Sequence, residues 1–562
     1  MLLAARSAVA LYRLLDAATA LAGDERVSRH FTLVPGSDFG VDMLAAIERI
    51  GGRSVPWAQA CSRSYDLILT ASPKGDLALL RGKRVLLPHG AGYNKSIPGE
   101  GPDPDSASGL DAVLLSPGDG ASSPIALHAV AHPEQVARIA MADEHAAARA
   151  KVVGDPTLER LLASRTLRDR YRNALGTGSR TLLALTSTWG PESLLRRYPE
   201  LPARLATQLP HDTYQLALIV HPNERSLLGT YELAERLAPA LDAGLILAEP
   251  LEEWASVLIA ADALLTDHGS AALYYCATQD RPVVGLPRSG SELIPGSPVD
   301  GLLRGVPRLV PTSAPGEGDQ SADFLAAALG SALRSYVPGA GQDAARRAFA
   351  HQGQALRRLR SELYGLLGLT PPRFSSPPRL LPPPRPAPRT PAAFDVCADV
   401  EGDRVHITRR PLSPDVPGDH LAVEYGAAGE GLVRSAGLLY RRALAPTADG
   451  TAPSWTASAW AEYVLSAYPG CRSAVAVLSA DVMLFRSRGD AAACYTVRVE
   501  ARTEDGRIIR TDPAAVASAV HAWFGGGAPA PVGAHSLSCV IGGRTYRVTV
   551  RPATGEEAMA PF

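Results

Sequence analysis

The stretch Ala263–Thr278 reads ALLTDHGSAALYYCAT and contains a strand, a turn and a helix in the order that is typical of a parallel α/β fold. Its first four residues, which end at Thr266, are apolar or β-branched and predict a short buried strand. The turn Asp267–Ser270 follows, and the apolar run Ala271–Thr278 predicts a helix. A strand, a Gly-Ser turn and a helix start together expose unpaired backbone amides and the positive end of a helix dipole. The stretch therefore predicts an anion-binding loop, although a helix cap at Asp267 explains the same residues.

Similar short apolar runs lie on both sides of this stretch and alternate with helical segments. Such alternation indicates parallel sheets flanked by helices. The pattern restarts after Gly178, so we predict an α/β fold with two Rossmann-like halves, residues 1–176 and 177–370, and a ligand cleft at the strand ends between them. The other predicted strands are His30–Val34, Tyr65–Thr70, Lys83–Leu87, Ala112–Leu115, Ala150–Val153, Thr181–Leu185, Tyr214–Val220, Gly244–Ala248 and Pro282–Leu286.

The rest of the chain divides into a linker and a further domain. Residues 371–393 contain ten prolines, four arginines and no acidic residue up to Pro391, which predicts an extended polyproline II linker. A ligand for a proline-binding partner is the alternative. Residues 394–562 predict a small α+β domain of unknown role, closed by a hairpin that turns at Gly542-Gly543. Its predicted strands and helices include Val405–Arg409, Ser458–Ala467, Val475–Leu478, Tyr495–Val499 and Pro513–Phe524.

Composition excludes some classes of protein. The 562 residues include 56 Lys+Arg and 57 Asp+Glu, a net charge of -1, so no overall field attracts nucleic acid. The run Met1–Leu21 is interrupted by Arg13 and Asp16 and predicts a domain helix rather than a signal peptide. No run of 18 apolar residues predicts a transmembrane segment, and six cysteines lack metal-ligand spacing. We therefore expect a cytoplasmic protein with free thiols, a disulfide among the last four being the alternative.

Two histidines follow predicted strands directly. His89 begins a glycine-containing loop that ends at Lys95, where an imidazole could take a proton from a hydroxyl group and the amine could hold a phosphate. His221 precedes a proline that fixes the turn, so its ring could face a diphosphate. Each histidine also has a purely structural interpretation, since the pair His132-Pro133 repeats the second motif at a predicted helix entry.

Hydroxyl groups follow the strand Thr181–Leu185. Ser187 and Thr188 lie in the turn that ends at Gly190, next to a predicted helix start. Hydroxyls and free amides in such a turn suit an anion, and they suit ordinary helix capping equally well.

Taken in order, these segments resemble the CDP-glycerol glycerophosphotransferases of teichoic-acid synthesis, over about residues 80 to 290. That family's His-Gly loop ending in Lys resembles His89–Lys95, and its Thr-Asp-Tyr-Ser-Ser signature resembles Thr266–Ser270. The pieces are collinear, which makes the resemblance more specific than any one of them. The other similar segments are Gly154-Asp155-Pro156, Ser187–Gly190, Ile219–Pro222 and Arg281-Pro282.

The resemblance implies a two-domain GT-B glycosyltransferase fold and transfer from a nucleotide diphosphate donor to a hydroxyl acceptor, with no metal or other cofactor. It implies that His89 is the general base and that His221 binds the donor phosphates. Arginines of the family pattern are missing before His221 and at Gly190, which removes positive charge from the implied site. The other residues that it implies at the donor phosphates are Lys95, Ser187, Thr188, Thr266, Asp267, Gly269 and Ser270.

Three functions fit these observations. The first is a GT-B transferase that moves a glycerol phosphate or a sugar. The second is a GT-B relic without activity that binds a nucleotide or phosphorylated metabolite, and a protein partner through the linker or the C-terminal domain. The third is an enzyme of the nucleotide-sugar 2-epimerase kind, which shares the cleft but needs acid and base carboxylates that the sequence does not identify.

Overall fold

The computed structural model describes residues 1–36, 40–88, 90–96, 110, 125–249, 251–287, 290, 292–311, 322–385, 390–413, 418–443, 455–490 and 493–562. Within these residues the chain forms two parallel sheets flanked by helices, followed by a closed barrel. This confirms the predicted mixed α/β class with two parallel halves. None of the helices in the described part of the chain has the length and apolar character that crossing a bilayer requires.

The first parallel sheet has six described strands. The predicted strand Ala112–Leu115 lies outside the described residues, and the strand Ile125–Val130 was not predicted. In spatial order the strands are His30–Leu33, Leu2–Ala5, Ser64–Thr70, Arg81–Leu86, Ile125–Val130 and Ala150–Val152. The helices around this sheet are Ala8–Ala18, Gly40–Arg49, Trp57–Ser62, Pro133–Ala142 and Glu144–Ala148.

The sequence predicts one helix in the N-terminal run, but the structure has a strand followed by a helix. Leu2–Ala5 pairs in parallel with strands on both sides, so it lies inside the sheet, where all four residues are buried. The helix begins after Ser7, whose hydroxyl accepts a hydrogen bond from the Ala10 amide at 3.3 Å. Ala and Leu suit both structures, so only the capping serine marks the boundary.

The second parallel sheet has five strands among the described residues. In spatial order they are Val283–Gly285, Ala263–Thr266, Thr181–Ser187, Tyr214–Val220 and Ile246–Leu247, which confirms the predicted strands of this half to within a few residues. Its helices are Leu194–Arg197, Leu201–Gln208, Pro222–Leu228, Thr230–Asp242, Glu253–Ala260, Ala271–Thr278, Pro298–Gly305, Ala322–Arg334 and Ala340–Ala348.

Some helices on each side of residue 176 pack against the other half. Helices Pro156–Ser164 and Arg168–Ala174 contribute Leu161 and Tyr171 to the core of the second half. Conversely, the helix Ala355–Leu367 packs into the core of the first half. Helices from each side of residue 176 therefore pack into the core of the other half.

The C-terminal region is more closed than the small α+β domain that the sequence predicts. Nine strands form a closed barrel, and the helix Pro513–Gly525 contacts strands around its wall, which places that helix inside the barrel. The predicted hairpin is confirmed, with positive φ angles at Gly542 and Gly543. The barrel strands in order are Ala393–Glu401, Arg404–Pro411, His535–Ile541, Arg544–Pro552, Cys494–Val499, Val482–Ser487, Ser473–Val477, Leu438–Arg442 and His420–Glu424. The other elements are helices Glu430–Ser435, Ala457–Ala467 and Gly555–Ala558 and the hairpin strands Arg502–Glu504 and Arg507–Ile509.

The proline-rich segment has neither helix nor strand in its described residues, as predicted, but it packs along the protein. Leu381 is buried, and its amide donates to the Ser164 hydroxyl at 2.9 Å. Its carbonyl accepts from the Tyr171 hydroxyl at 2.8 Å. The Ser256 hydroxyl donates to the next carbonyl, that of Pro382, at 2.6 Å. Residues 371–385 thus form a strap across both halves rather than a free spacer.

Candidate functional site

The two halves meet at the carboxyl ends of their parallel strands. The loop after Arg81–Leu86 and the helix start after Ala263–Thr266 face each other there. A Cβ built on Gly90 would lie 3.4 Å from the Ser270 hydroxyl oxygen. His89 itself lies outside the described residues, but its neighbour Gly90 places the chain next to Ser270. The predicted base loop and the predicted donor loop therefore come together.

A buried arginine ties this loop to both halves. Arg13 donates to the Pro88 carbonyl at 3.2 Å, forms an ion pair with Asp155 at 2.8 Å and donates to the Tyr274 hydroxyl at 2.6 Å. Burial alone would lower the pKa of Arg13, but Asp155 and Tyr274 hold it above its ordinary value. Tyr274 lies one turn after Ser270 on the same helix. Arg13 therefore links the residue before His89 to the helix that begins at Ser270.

Sequence reasoning missed Arg13 and Tyr274 as members of the site. A usable signal was present, because Arg13 and Asp16 are charged residues within an otherwise apolar helix and both are largely buried. Asp16 is paired with Arg160 at 3.1 Å, on the helix that joins the halves. Buried charges on a core helix indicate a defined polar contact with another element.

Asp267 organises the loop that the sequence singles out. Its carboxylate is buried and accepts from the amides of Thr188 at 2.7 Å, Leu194 at 2.9 Å and Gly269 at 2.9 Å. Burial raises the pKa of Asp267, and His268 and the three amides oppose that shift. Asp267 does not cap the helix Ala271–Thr278, because its bond nearest in the sequence is to the amide of Gly269, which lies before that helix. The carboxylate joins the ends of two neighbouring strands.

The hydroxyl residues of the predicted donor site differ in exposure. Thr266 is fully buried and accepts from the Thr186 hydroxyl at 2.7 Å, within the sheet. Ser187 is buried and accepts from the Leu195 amide at 3.2 Å, which is a capping role. Ser270 is partly exposed, and its side chain makes no capping bond to its helix. Among these hydroxyls, Ser270 has the surroundings that a ligand contact requires.

Lys95 is held by the second half rather than pointing into open solvent. Its amine pairs with Glu292 at 2.9 Å, donates to the Trp189 carbonyl and lies 4.2 Å from the centre of the Trp189 ring. Glu292 also accepts from His268 at 3.0 Å. Burial would raise the pKa of Glu292, but hydrogen bonds from His268 and Lys95 hold it below its ordinary value. Glu292 was not predicted, because no motif marks it, whereas His268 lies within the predicted Asp267–Ser270 turn but was given no role there.

The loop that carries Lys95 pairs with the second half through its backbone as well. Lys95 forms an isolated antiparallel bridge with Leu293. The Ser96 amide donates to the Glu292 carbonyl at 2.8 Å, and the Ile294 amide donates to the Asn94 carbonyl at 2.9 Å. These contacts fix the loop after His89 on the opposite half.

His221 lies at a helix entry beside the same aromatic ring. Its Nδ1 accepts from the Asn223 amide at 3.1 Å, and its ring centre is 6.3 Å from that of Trp189. His132 makes the same capping bond to the Glu134 amide at 3.2 Å. The His-Pro pair is therefore a helix-entry motif in both places, and only the position of His221 at the cleft distinguishes it.

The surroundings of the site contain a small pocket and few groups suited to metals. In the described part of the chain, no three His, Cys, Asp or Glu side chains are grouped as metal ligands would be. The pocket lies beside the buried pair His268 and Asp267, at the ends of the strands of the second sheet. It is lined by Glu192, Leu194, Arg197, Tyr198, Asp267, His268, Leu286 and Pro287.

Comparison with known proteins gives similar structures but no family. No family model matches the chain, and no curated protein matches it. The wall teichoic acid polymerase TagF is similar at 13% identity and a TM-score of 0.42, over 65% of this chain and 88% of the other. The Anabaena protein Alr3699/HepE, in complex with UDP and glucose, is similar at 15% identity and a TM-score of 0.38, over 65% of this chain and 99% of the other.

Proposed function

We propose that this chain is a GT-B transferase that moves a glycerol phosphate or a sugar from a nucleotide diphosphate donor to a hydroxyl acceptor, without a metal. The observation that carries the proposal is the approach of Gly90 to Ser270. It brings the residue next to His89 to a helix start with a free hydroxyl. A proton acceptor and a phosphate-binding helix start on opposite sides of one cleft are what such a transfer requires.

In this proposal His89 takes the proton of the acceptor hydroxyl as its oxygen forms the new bond. When glycerol phosphate is transferred, that oxygen attacks the phosphorus next to glycerol, and the nucleoside monophosphate leaves with the electron pair of the broken P–O bond. When a sugar is transferred, the oxygen attacks the anomeric carbon, and the nucleoside diphosphate leaves. Negative charge then grows on the leaving phosphate, where the amides and hydroxyl at Ser270 can stabilise it.

The other predicted residues receive narrower roles. Thr188 and His221 flank Trp189 and can contact a donor from the second half. Asp267 shapes the loop through its three amide contacts. Lys95 is paired with Glu292, so it offers a phosphate a hydrogen-bond donor in a fixed place but no net positive charge.

A second candidate function is a cleft that binds a nucleotide or phosphorylated metabolite without catalysis. The pairing of Lys95 with Glu292 favours it, because an arginine-poor site with its lysine neutralised has little positive charge for a leaving phosphate. Where the ligand of the second candidate is a nucleotide, the two candidates share nucleotide binding and differ in turnover.

The test measures binding and turnover separately on the full chain. Calorimetry with CDP-glycerol, UDP-glucose and GDP-mannose gives donor affinity, and chromatography of released nucleotide with a polyol or oligosaccharide acceptor gives transfer, with and without EDTA. We expect His89→Ala to abolish transfer and leave donor affinity within about twofold, since a base acts on the acceptor.

Ser270→Asp should weaken donor binding at least tenfold by like-charge repulsion at the helix start. Ser536→Asp, which places the same charge on an exposed barrel position, is its matched control and should bind as the parent does. Binding without any turnover would support the second candidate. Absence of binding to all three donors would contradict the first candidate and the nucleotide-binding form of the second.

A further inference from the structure

Four aromatic side chains are gathered on the barrel region, two of them exposed and two half-buried. We define this aromatic platform as Tyr425, Trp455, Tyr463 and Tyr468. The rings of Trp455 and Tyr463 are stacked, with centres 5.1 Å apart and planes 29° apart. The two residues remain 42% and 41% exposed. Tyr425 lies edge-on to Tyr468 with ring centres 6.1 Å apart. Exposed aromatic rings gathered in this way differ from apolar residues scattered singly over a surface.

The platform is held in position by the fold. The Trp455 amide donates to the Phe562 carbonyl at 3.1 Å, and the Phe562 amide donates back at 2.8 Å. Tyr463 lies on the helix Ala457–Ala467, whose Trp460 is completely buried on another face. The backbone that carries each exposed ring is therefore held in place, which reduces the ordering cost of binding.

Most of the charged groups near the platform are paired. Glu430 pairs with Arg434 at 2.9 Å, beside Tyr425, and Glu462 pairs with Arg486 at 3.1 Å, next to Tyr463 in sequence. The Arg441 guanidinium lies 5.2 Å from the centre of the Phe562 ring, and Phe562 is bonded to Trp455. The rim is therefore polar and has little net charge. A surface that binds nucleic acid or anionic lipid would instead present an excess of positive charge.

We propose that the aromatic platform binds a glycan through stacking of its sugar rings. The face of an aromatic ring carries negative charge density, which attracts the C–H groups on the flat side of a sugar ring. Tyrosine hydroxyls and the paired carboxylates and guanidinium groups supply hydrogen-bond partners for sugar hydroxyls. A neutral ligand with flat apolar faces and a polar edge matches both features.

A protein partner is the competing occupant, and the dimensions argue against it. A stable protein interface buries roughly 800 Å² on each side around a desolvated apolar centre. Here only two rings are largely exposed, and the Glu430–Arg434 pair lies near Tyr425 and Tyr463, which leaves a small apolar area with charged neighbours. The proposal goes beyond the proposed transfer reaction and does not depend on it, since glycan binding needs neither a nucleotide nor His89.

The test is binding of oligosaccharides to the full chain without nucleotide. Calorimetry and tryptophan fluorescence are measured with maltohexaose, cellohexaose and chitohexaose. We expect at least one hexaose to bind, and Trp455→Ala and Tyr463→Ala each to weaken its binding about tenfold, while Trp455→Phe retains most of it.

Phe374→Ala and Tyr231→Ala are matched controls, because these residues are 89% and 77% exposed but belong to other parts of the chain. Circular dichroism and thermal melting check that every variant is folded. The proposal is overturned if no hexaose binds, if the platform variants bind as the controls do, or if the platform binds only a protein. Since no nucleotide is present, these outcomes are independent of whether the cleft transfers a group.

Discussion

At the scale of the residue, Asp267 shows how one buried carboxylate can organise a cleft. It accepts hydrogen bonds from three backbone amides. Two of these, from Thr188 and Leu194, lie after the strand Thr181–Ser187, so Asp267 fixes the distance between the loop after that strand and its own loop. The sequence predicts that Asp267 belongs to the site because it follows a strand and precedes a Gly-Ser turn. It does not predict the partners, because Thr188 and Leu194 are about 75 residues away along the chain.

Asp267→Asn should destabilise the protein by about 1–3 kcal/mol, because one acceptor oxygen becomes an amide NH2 group that cannot accept a hydrogen bond from a buried backbone N–H. Urea unfolding followed by circular dichroism measures the free energy of unfolding. Asp399→Asn, the same change at an exposed barrel position, should lie within about 0.5 kcal/mol of the parent. Equal stability of the two variants would contradict the role assigned to Asp267.

Lys95 and Glu292 mark the limit of prediction at this scale. A lysine after a glycine loop predicts a phosphate contact, and the amine is indeed next to the cleft. Its pairing depends on a glutamate on the other half, which the sequence does not connect to it. The ion pair between Lys95 and Glu292 can be recognised only when the positions of the two halves are known.

At the scale of the element, strands of the second half were predictable because apolar or β-branched residues fill them and polar turns end them. The strands Tyr214–Val220 and Ala263–Thr266 have their predicted bounds. The strand Leu2–Ala5 was not predicted, because its Leu and Ala residues continue into a helix of the same composition. The proline-rich segment was predicted to be extended, but composition does not indicate that one of its leucines is buried.

Leu381→Ala should lower the free energy of unfolding by about 2–4 kcal/mol, because Leu381 is only 4% exposed and belongs to the core of the second half. Its neighbour Leu380 is 49% exposed, so Leu380→Ala is the matched control and should change stability by less than about 0.5 kcal/mol. Chemical denaturation of both variants measures the free energy of unfolding, and a difference between them indicates that the strap is packed rather than a free spacer. A spacer would make the two changes equally harmless.

At the scale of the whole molecule, a buried ion pair joins the barrel to the second half. Arg409 of the barrel is completely buried and pairs with Asp212 at 2.6 Å and with Asp512 at 3.0 Å. The His211 amide donates to the Arg409 carbonyl at 2.8 Å, and the His211 ring lies 4.9 Å from that of Phe394. No pattern in the sequence links residues 211 and 409, since the contact depends on how two separately folded units meet.

This contact makes stability depend on pH. Burial, with help from Arg180 and Arg409, lowers the pKa of His211 to about 3, and Asp212 and Asp512 only partly oppose that shift. An unfolded chain has a histidine pKa near 6.5. Between these values the unfolded state binds a proton that the folded state does not bind. The contribution of neutral His211 to the free energy of unfolding therefore has its full value above about pH 6.5 and is lost as the pH is lowered toward 3.

We expect His211→Gln to flatten the pH dependence between pH 6.5 and 4.5 by up to about 1.4 kcal/mol per pH unit, since glutamine does not titrate and can still accept from Arg180. Urea unfolding at half-unit pH steps measures the slope. His145→Gln is the matched control, because the His145 side chain is 90% exposed and lies outside this contact. If both variants keep the parent slope, His211 is not a source of acid sensitivity. If only His211→Gln flattens it, the contact between the barrel and the second half is a source of the acid sensitivity.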